Sequence, residues 1–225
     1  ASAGSAVLAF NVITIEHAEG VADGVERAGI AAVLQISENT VCFHGGRIAP
    51  LLSACGQIAI HSSAPLAIHL DHFQDVTLVD EAIETAAELG ATSIMVDAAH
   101  LPYRDNVDRT RTFAKRAHAA GLWVDAEIGG KGGQKKDAHA LGARTDPDEA
   151  AAFAEETGVD GLAVAVGSSH AMTTRDAHLD LDVITRLAAS VANRSFLSAN
   201  AETTDPCKYL ASGRPAAPLP ERVAR

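Results

Sequence analysis

Leu66-Ala67-Ile68-His69-Leu70-Asp71-His72 decides the reading of this chain: an apolar run long enough for one strand closes on side chains that can do chemistry. Similar apolar runs recur, so strands are expected to begin near Val7, Ala32, Leu66, Ser93, Leu122 and Gly161. The spacings of 25, 34, 27, 29 and 39 residues each accommodate one helix and two loops. A βα unit repeated six times requires a parallel sheet with right-handed crossovers. Helix signals fall where this scheme needs them. Asp146-Pro147-Asp148-Glu149 combines an N-cap carboxylate, a proline at the first helical position and an acidic first turn, and Gly158 stops that helix. Val79, Ile83, Ala86 and Ala87 share one helical face, with Gly90 as a left-handed cap before Ser93. After a helix around Asp180 to Val191 the pattern dissolves into a tail containing Pro215, Pro218 and Pro220. The chain is therefore expected to be one domain over 1–225, with 192–225 an irregular tail. An eight-stranded barrel of this type takes about 250 residues, so two architectures stay open: a small open sheet, or a barrel lacking pieces.

Composition narrows the function classes. Of 225 residues, 47% are hydrophobic and 21% charged, which suits an ordinary globular domain. The formal charge of −11 opposes contact with nucleic-acid phosphates or an anionic membrane surface. Aromatic residues make up only 4%, so the core is expected to consist of Ala, Val, Leu and Ile. Cys42, Cys55 and Cys207 include no CxxC pair, against both a disulfide framework and a structural zinc knuckle. No basic, apolar leader opens the sequence and no apolar run approaches the roughly 20 residues that span a bilayer. The expectation is a cytoplasmic protein in a reducing compartment.

In parallel α/β folds the ligand site lies at the carboxyl ends of the strands. Those ends carry Asn11; Ser37, Glu38 and Asn39; His69, Asp71 and His72; Asp97 and His100; Asp125 and Glu127; and Gly167, Ser168, Ser169 and His170. A lone Asp or His at a strand end is more often a loop cap or a satisfied polar group than a ligand. Convergence on one rim favours metal ligation by His72 and His170, with nearby carboxylates orienting the second imidazole nitrogen. Neighbours on an extended strand face opposite sides, so Asp71 and His72 reach one cavity only if the chain bends between them, which Phe73-Gln74-Asp75 permits. His44 and His100 are intermediate cases. His17, His61, His118, His139 and His178 have no partner at ligand spacing and are read as solvated.

Together, Ala9-Phe10-Asn11-Val12, His69-Leu70-Asp71-His72, Ser93 to Asp97 running on to His100-Leu101-Pro102-Tyr103 and Asn106-Val107, Asp125-Ala126-Glu127-Ile128-Gly129, Gly132-Gly133-Gln134, and Leu162 to Gly167 leading to His170 form an ordered set. From about Ala9 to Val191 the chain resembles the class II, metal-dependent ketose-bisphosphate aldolases of the fructose- and tagatose-bisphosphate branch. The resemblance implies a TIM (β/α)8-type barrel, incomplete here, with about six clear βα units and strands seven and eight missing. It implies reversible cleavage of a ketose 1,6-bisphosphate to glycerone phosphate and glyceraldehyde 3-phosphate, with Zn2+ as cofactor. It further implies that Asp71 is the catalytic acid/base, that His72 and His170 hold the metal, and that Asp97 and Glu127 match carboxylates of a second or displaced metal position. Ser37 and Gly167 fall where the family contacts substrate. A sugar phosphate is the expected partner, in a dimer or tetramer, with no nucleic acid and no membrane.

The sequence departs from that pattern in three places. The Leu-His-Gly motif of the family's third zinc histidine and the phosphate loops of strands seven and eight have no counterpart. Thr204-Asp205-Pro206-Cys207-Lys208-Tyr209-Leu210 follows almost at once and resembles a segment near the family's carboxyl end. Lys135 stands where the family has a proton-transfer Glu, and Ala171 where it has Gly. Six strands alone would leave an open edge and an exposed apolar interior. A two-histidine site could recruit His100, His44 or Glu127 as a third metal donor. Two other readings are a non-catalytic remnant that binds metal or sugar phosphate, and a metal hydrolase. The second ranks below the rest, because such barrels place a His-x-His pair on strand one, where this chain has Asn11.

Overall fold

The computed structural model describes residues 6–129, 144–167, 179–191, 195–198 and 207–212. The strand starts fall where the apolar runs place them: β1 Ala6–Asn11, β2 Ala32–Ser37, β3 Leu66–Phe73, β4 Ser93–Val96, β5 Trp123–Glu127 and β6 Gly161–Val164. The helices that follow them are α1 Ile15–Ala28, then α2 Glu38–Phe43 and α3 Ala49–His61 after β2, and α4 Val76–Thr85, α5 Tyr103–Ala119, α6 Pro147–Thr157 and α7 Leu181–Ser190. Six parallel strands, each followed by helix, give the incomplete TIM-type barrel.

Local chemistry sets the element ends. Asp146 accepts the amides of Asp148 and Glu149 at the start of α6, and Gly158 closes that helix in the left-handed region at φ 76°. On α4 the apolar face is Val79, Ala82 and Ile83, continued by the buried Ala86 at the C-cap; Ala87, expected on that face, lies past the regular helix and is exposed. Gly90 has φ 103°, as its capping position requires.

The tail is not wholly irregular. β7 Ser195–Ser198 pairs parallel to β6, and β8 Cys207–Ser212 pairs antiparallel to both β7 and β1, closing the ring in the order β1 to β8. Only residues 199–206 separate β7 from β8, fewer than the dozen or so that a parallel crossover needs, so β8 must run antiparallel. The expected open edge is thus covered within the chain, by tail residues in the places of strands seven and eight. Neither strand is followed by a helix among the described residues, so neither shows the βα signature that marks the other six.

The main core lies between strands and helices. Leu34, Ile36, Ile68, Leu70, Ile94, Val124 and Leu162 pack there with Leu52, Val79, Phe113 and Phe153. The barrel interior holds a small separate cluster of Met95, Ala163 and Trp123. Gly161 admits that indole, because a Cβ there would run into the Trp123 ring. Among the described residues no helix is long and apolar enough to cross a membrane.

Candidate metal centre

Strand parity lines the barrel axis with polar groups. Gln35 is in register with Asn11 and His69, Ser37 with Asp71, His69 with Ser93, and Asp125 with Met95 and Gly161. The alternate residues of these strands face the helices, so these face the axis. Gln35 Nε2 donates to Asn11 Oδ1 at 2.8 Å and to Asp71 Oδ2 at 2.7 Å. His69 sits across the same layer, with Nδ1 2.9 Å from Ser93 Oγ and Nε2 3.7 Å from both Asp71 Oδ1 and Asp125 Oδ1. The interior expected to be apolar is therefore in good part a hydrogen-bonded polar layer.

His72 breaks the alternation. It is the one non-glycine with positive φ among the described residues, at φ 53°, and the β3–β4 register shifts between Leu70 and Phe73. The bulge turns the imidazole toward the carboxyl ends of β4 and β5, next to Asp71, while Phe73 stays in the core. This is the bend that the Asp71-His72 pair requires.

At the mouth the side chains of His72, Asp97 and Glu127 each offer one donor atom, all within 4.8 Å of one another. His72 Nδ1 is 3.1 Å from Asp97 Oδ2 and 3.6 Å from Glu127 Oε2. Asp97 and Glu127 are only 6% and 5% exposed. Burial alone would raise the Asp97 carboxyl. Hydrogen bonds from His72, Gln74 Nε2 and the Ala99 amide, with the charge of His72, outweigh that effect and hold it below the usual carboxylate range. Two buried carboxylates facing one imidazole form a hard and borderline N/O donor set that suits a divalent first-row cation, and that a cation would stabilise. Glu127 is held in place from behind. The buried Asn106 of α5 donates from Nδ2 to the Glu127 and Ile128 carbonyls, both at 3.0 Å, and its own Oδ1 accepts from Thr110. Gly129, at φ 77°, lets the chain leave β5 past Ala99, whose carbonyl oxygen would lie 2.8 Å from an added Cβ.

The expected site residues are distributed as follows. Asp71, His72, Asp97 and Glu127 lie at the carboxyl ends of β3, β4 and β5, and the last three form the cluster. Ser37 caps α2, its Oγ accepting the Thr40 amide at 3.2 Å. Gly167 follows β6 with φ 120°, a conformation that favours glycine. His170, Lys135, Ala171, His139 and His178 lie outside the described residues. Of the proposed third donors only Glu127 joins; His44 Nε2 bonds the Ile13 carbonyl at 2.6 Å and His100 is exposed. Of the histidines read as solvated, the three described ones are exposed but engaged: His17 caps α1, His61 bonds the Gln57 carbonyl and His118 pairs with Asp160. Sequence reading missed Gln35, Gln74 and the role of Asn106. Gln35 could have been found from parity, since it lies two residues before Ser37 inside an apolar strand.

A sequence model of the family described as fructose-bisphosphate aldolase class-II matches residues 1–200. The chain belongs to this family. Among curated family relatives, the fructose-bisphosphate aldolase of Giardia intestinalis is 36% identical over 163 residues, 72% of this chain and 49% of that protein. The fructose-bisphosphate aldolase of Staphylococcus aureus strain Mu50 is 34% identical over 169 residues, 74% of this chain and 58% of that protein. The chain thus spans about half the length of the curated relatives it matches. Among solved structures, the YdjI aldolase of Escherichia coli K12 superposes with a TM-score of 0.69 at 27% identity, over 84% of this chain and 64% of that one.

Proposed function

We propose that this chain performs, or forms the main part of a protein that performs, metal-dependent reversible aldol cleavage of a ketose 1,6-bisphosphate of the fructose or tagatose type, to glycerone phosphate and glyceraldehyde 3-phosphate. The observation that carries this reading is the convergence of His72, Asp97 and Glu127 at the barrel mouth, beside the buried carboxylate of Asp71. The donor set fits zinc: His72, Asp97 and Glu127 would hold it, with His170 as the further imidazole. Bound there, the cation would supply Lewis-acid stabilisation of negative charge developing on the ketose oxygens.

The remaining work falls to the chain's own side chains. Cleavage of the carbon–carbon bond requires removal of the proton from the hydroxyl beside it, and Asp71 would take that proton and return it in the reverse direction. Gln35 Nε2 donates to Asp71 Oδ2, which holds the orientation of the carboxylate. Ser37 and Gly167 are the assigned substrate contacts at the ends of β2 and β6. The subunit acts on a small sugar phosphate in the cytoplasm, as a dimer or tetramer.

A coupled assay tests the proposal. Glycerone phosphate should be released from fructose or tagatose 1,6-bisphosphate, and a chelator should abolish the release. Asp71→Ala should lower kcat by at least about a hundredfold while the metal stays bound, in line with the usual worth of a general acid/base. No turnover at any zinc level, with zinc retained, would overturn the catalytic reading and leave a metal- or sugar-phosphate-binding module. Unchanged turnover in Asp71→Ala would overturn the acid/base assignment.

A further inference from the structure

The loop after His72 is built around one carboxylate outside the cluster. Glu38, the first residue of α2, accepts the backbone amides of Gln74 and Asp75 on a single oxygen, Oε2, at 2.6 and 2.8 Å. Asp75 in turn accepts the amides of Thr77 and Leu78 at the start of α4, so the loop is pinned from both sides. Its position is thereby set for one reach. The Gln74 carboxamide donates from Nε2 to Asp97 Oδ2 at 2.7 Å, the same oxygen that lies 3.1 Å from His72 Nδ1. The other Asp97 oxygen, Oδ1, accepts the Ala99 amide at 3.0 Å.

From this chain of contacts we propose that Gln74, held by Glu38, is a positioning residue of the metal centre, fixing the edge of Asp97 that meets His72 and the cation. The proposal rests on the reading of His72, Asp97 and Glu127 as that centre. The carboxamide is suited to the task. It is neutral, so it adds no positive charge to compete with a cation. It donates to Asp97 Oδ2 without needing a change of protonation, so the carboxylate keeps its orientation whether that oxygen meets the imidazole or the metal. The clamp also links the carboxyl end of β2, through α2, to that of β4, two strands that are not neighbours in the ring.

Gln74 is exposed, so its substitution leaves the core intact. The test is the affinity of the full chain for Zn2+, measured by titration calorimetry and checked with the visible absorption of Co2+, alongside the melting temperature of the metal-free protein. Gln74→Leu should weaken Zn2+ binding tenfold to a hundredfold, roughly the range for loss of an outer-shell partner, and change the Co2+ spectrum. The metal-free melting temperature should stay unchanged. Glu38→Ala should weaken binding in the same way, whereas Glu38→Gln, which keeps an amide-accepting oxygen, should largely restore it. The Glu38→Ala/Gln74→Leu double variant should bind no worse than the weaker single variant, because both act through one contact. Unaltered affinity in Gln74→Leu, or losses that add in the double variant, would overturn the proposal. If the unsubstituted chain itself bound neither ion, the metal centre would fall, and this proposal with it.

Discussion

His72 carries two demands at once, a backbone one and a chemical one. A left-handed conformation costs an L-residue about 1 kcal/mol, and here it turns the imidazole to the same mouth as Asp71. Glycine at this position would relieve the strain and remove the donor. His72→Gly is accordingly expected to abolish metal binding, with the relieved strain offsetting part of the stability lost when the buried Asp97 and Glu127 carboxylates lose the imidazole that faces them. Zn2+ binding as tight as the parent's, read by titration calorimetry, would contradict the assignment of His72 as a donor. At this scale the sequence was most informative where residue type alone implies chemistry. Asp71, His72, Asp97 and Glu127 stand at strand ends, and the need for a bend after Asp71 follows from the two-residue period of a strand. Gln74 and Asn106 were not legible in the same way. Their importance lies in the atoms they touch across 23 and 21 residues of sequence, and a carboxamide in a loop or helix has no spacing signature.

Elements were legible because each obeys a local rule. The Asp-Pro start and Gly stop of α6, the apolar runs of β2 and β3, and the helical face of α4 are written in neighbouring residues. The ties between elements are not. Asn106 joins α5 to the exit of β5, and Asn106→Ala would leave two buried carbonyls without that donor. The expected cost is about 2 to 4 kcal/mol, read from denaturant unfolding, with displacement of Glu127 weakening metal binding in parallel. A cost under about 0.5 kcal/mol would mean that the carbonyls find other donors. On the opposite end of the barrel, Glu26 of α1 accepts from Ser62 Oγ at 2.7 Å and from the Ser63 amide at 2.8 Å. The Ser62 hydroxyl, followed by the Ser63 amide, holds its carboxyl below the ordinary glutamate value. A depressed folded value contributes stability that is fully present above the unfolded value of about 4.3 and is lost as the pH falls from there through the lowered folded value. Glu26→Gln should flatten the decline in stability between about pH 5 and pH 3. An identical acid limb in parent and variant would contradict the coupling.

For the whole molecule, six βα units were legible and the closure of the ring was not. Six strands suffice to predict an open edge, but β7 and β8 belong to a stretch with no helical period between them. Their pairing is set by the geometry of the gap they fill, and the direction of β8 by the few residues available to reach it. The polar interior followed from the same parity that placed the site: once Gln35, His69 and Asp125 face the axis, the barrel cannot be filled by apolar side chains alone. Asn11, Asp71 and Ser93 then complete a largely buried network whose upper edge meets the mouth. The account of function stands on that mouth holding one divalent cation. Zinc content per chain, measured by mass spectrometry after loading and exhaustive removal of free metal, tests this most directly. About one equivalent is expected in the parent and a clear loss on Glu127→Ala, as a three-donor site requires; less than about a tenth of an equivalent in the parent would contradict a metal-holding mouth.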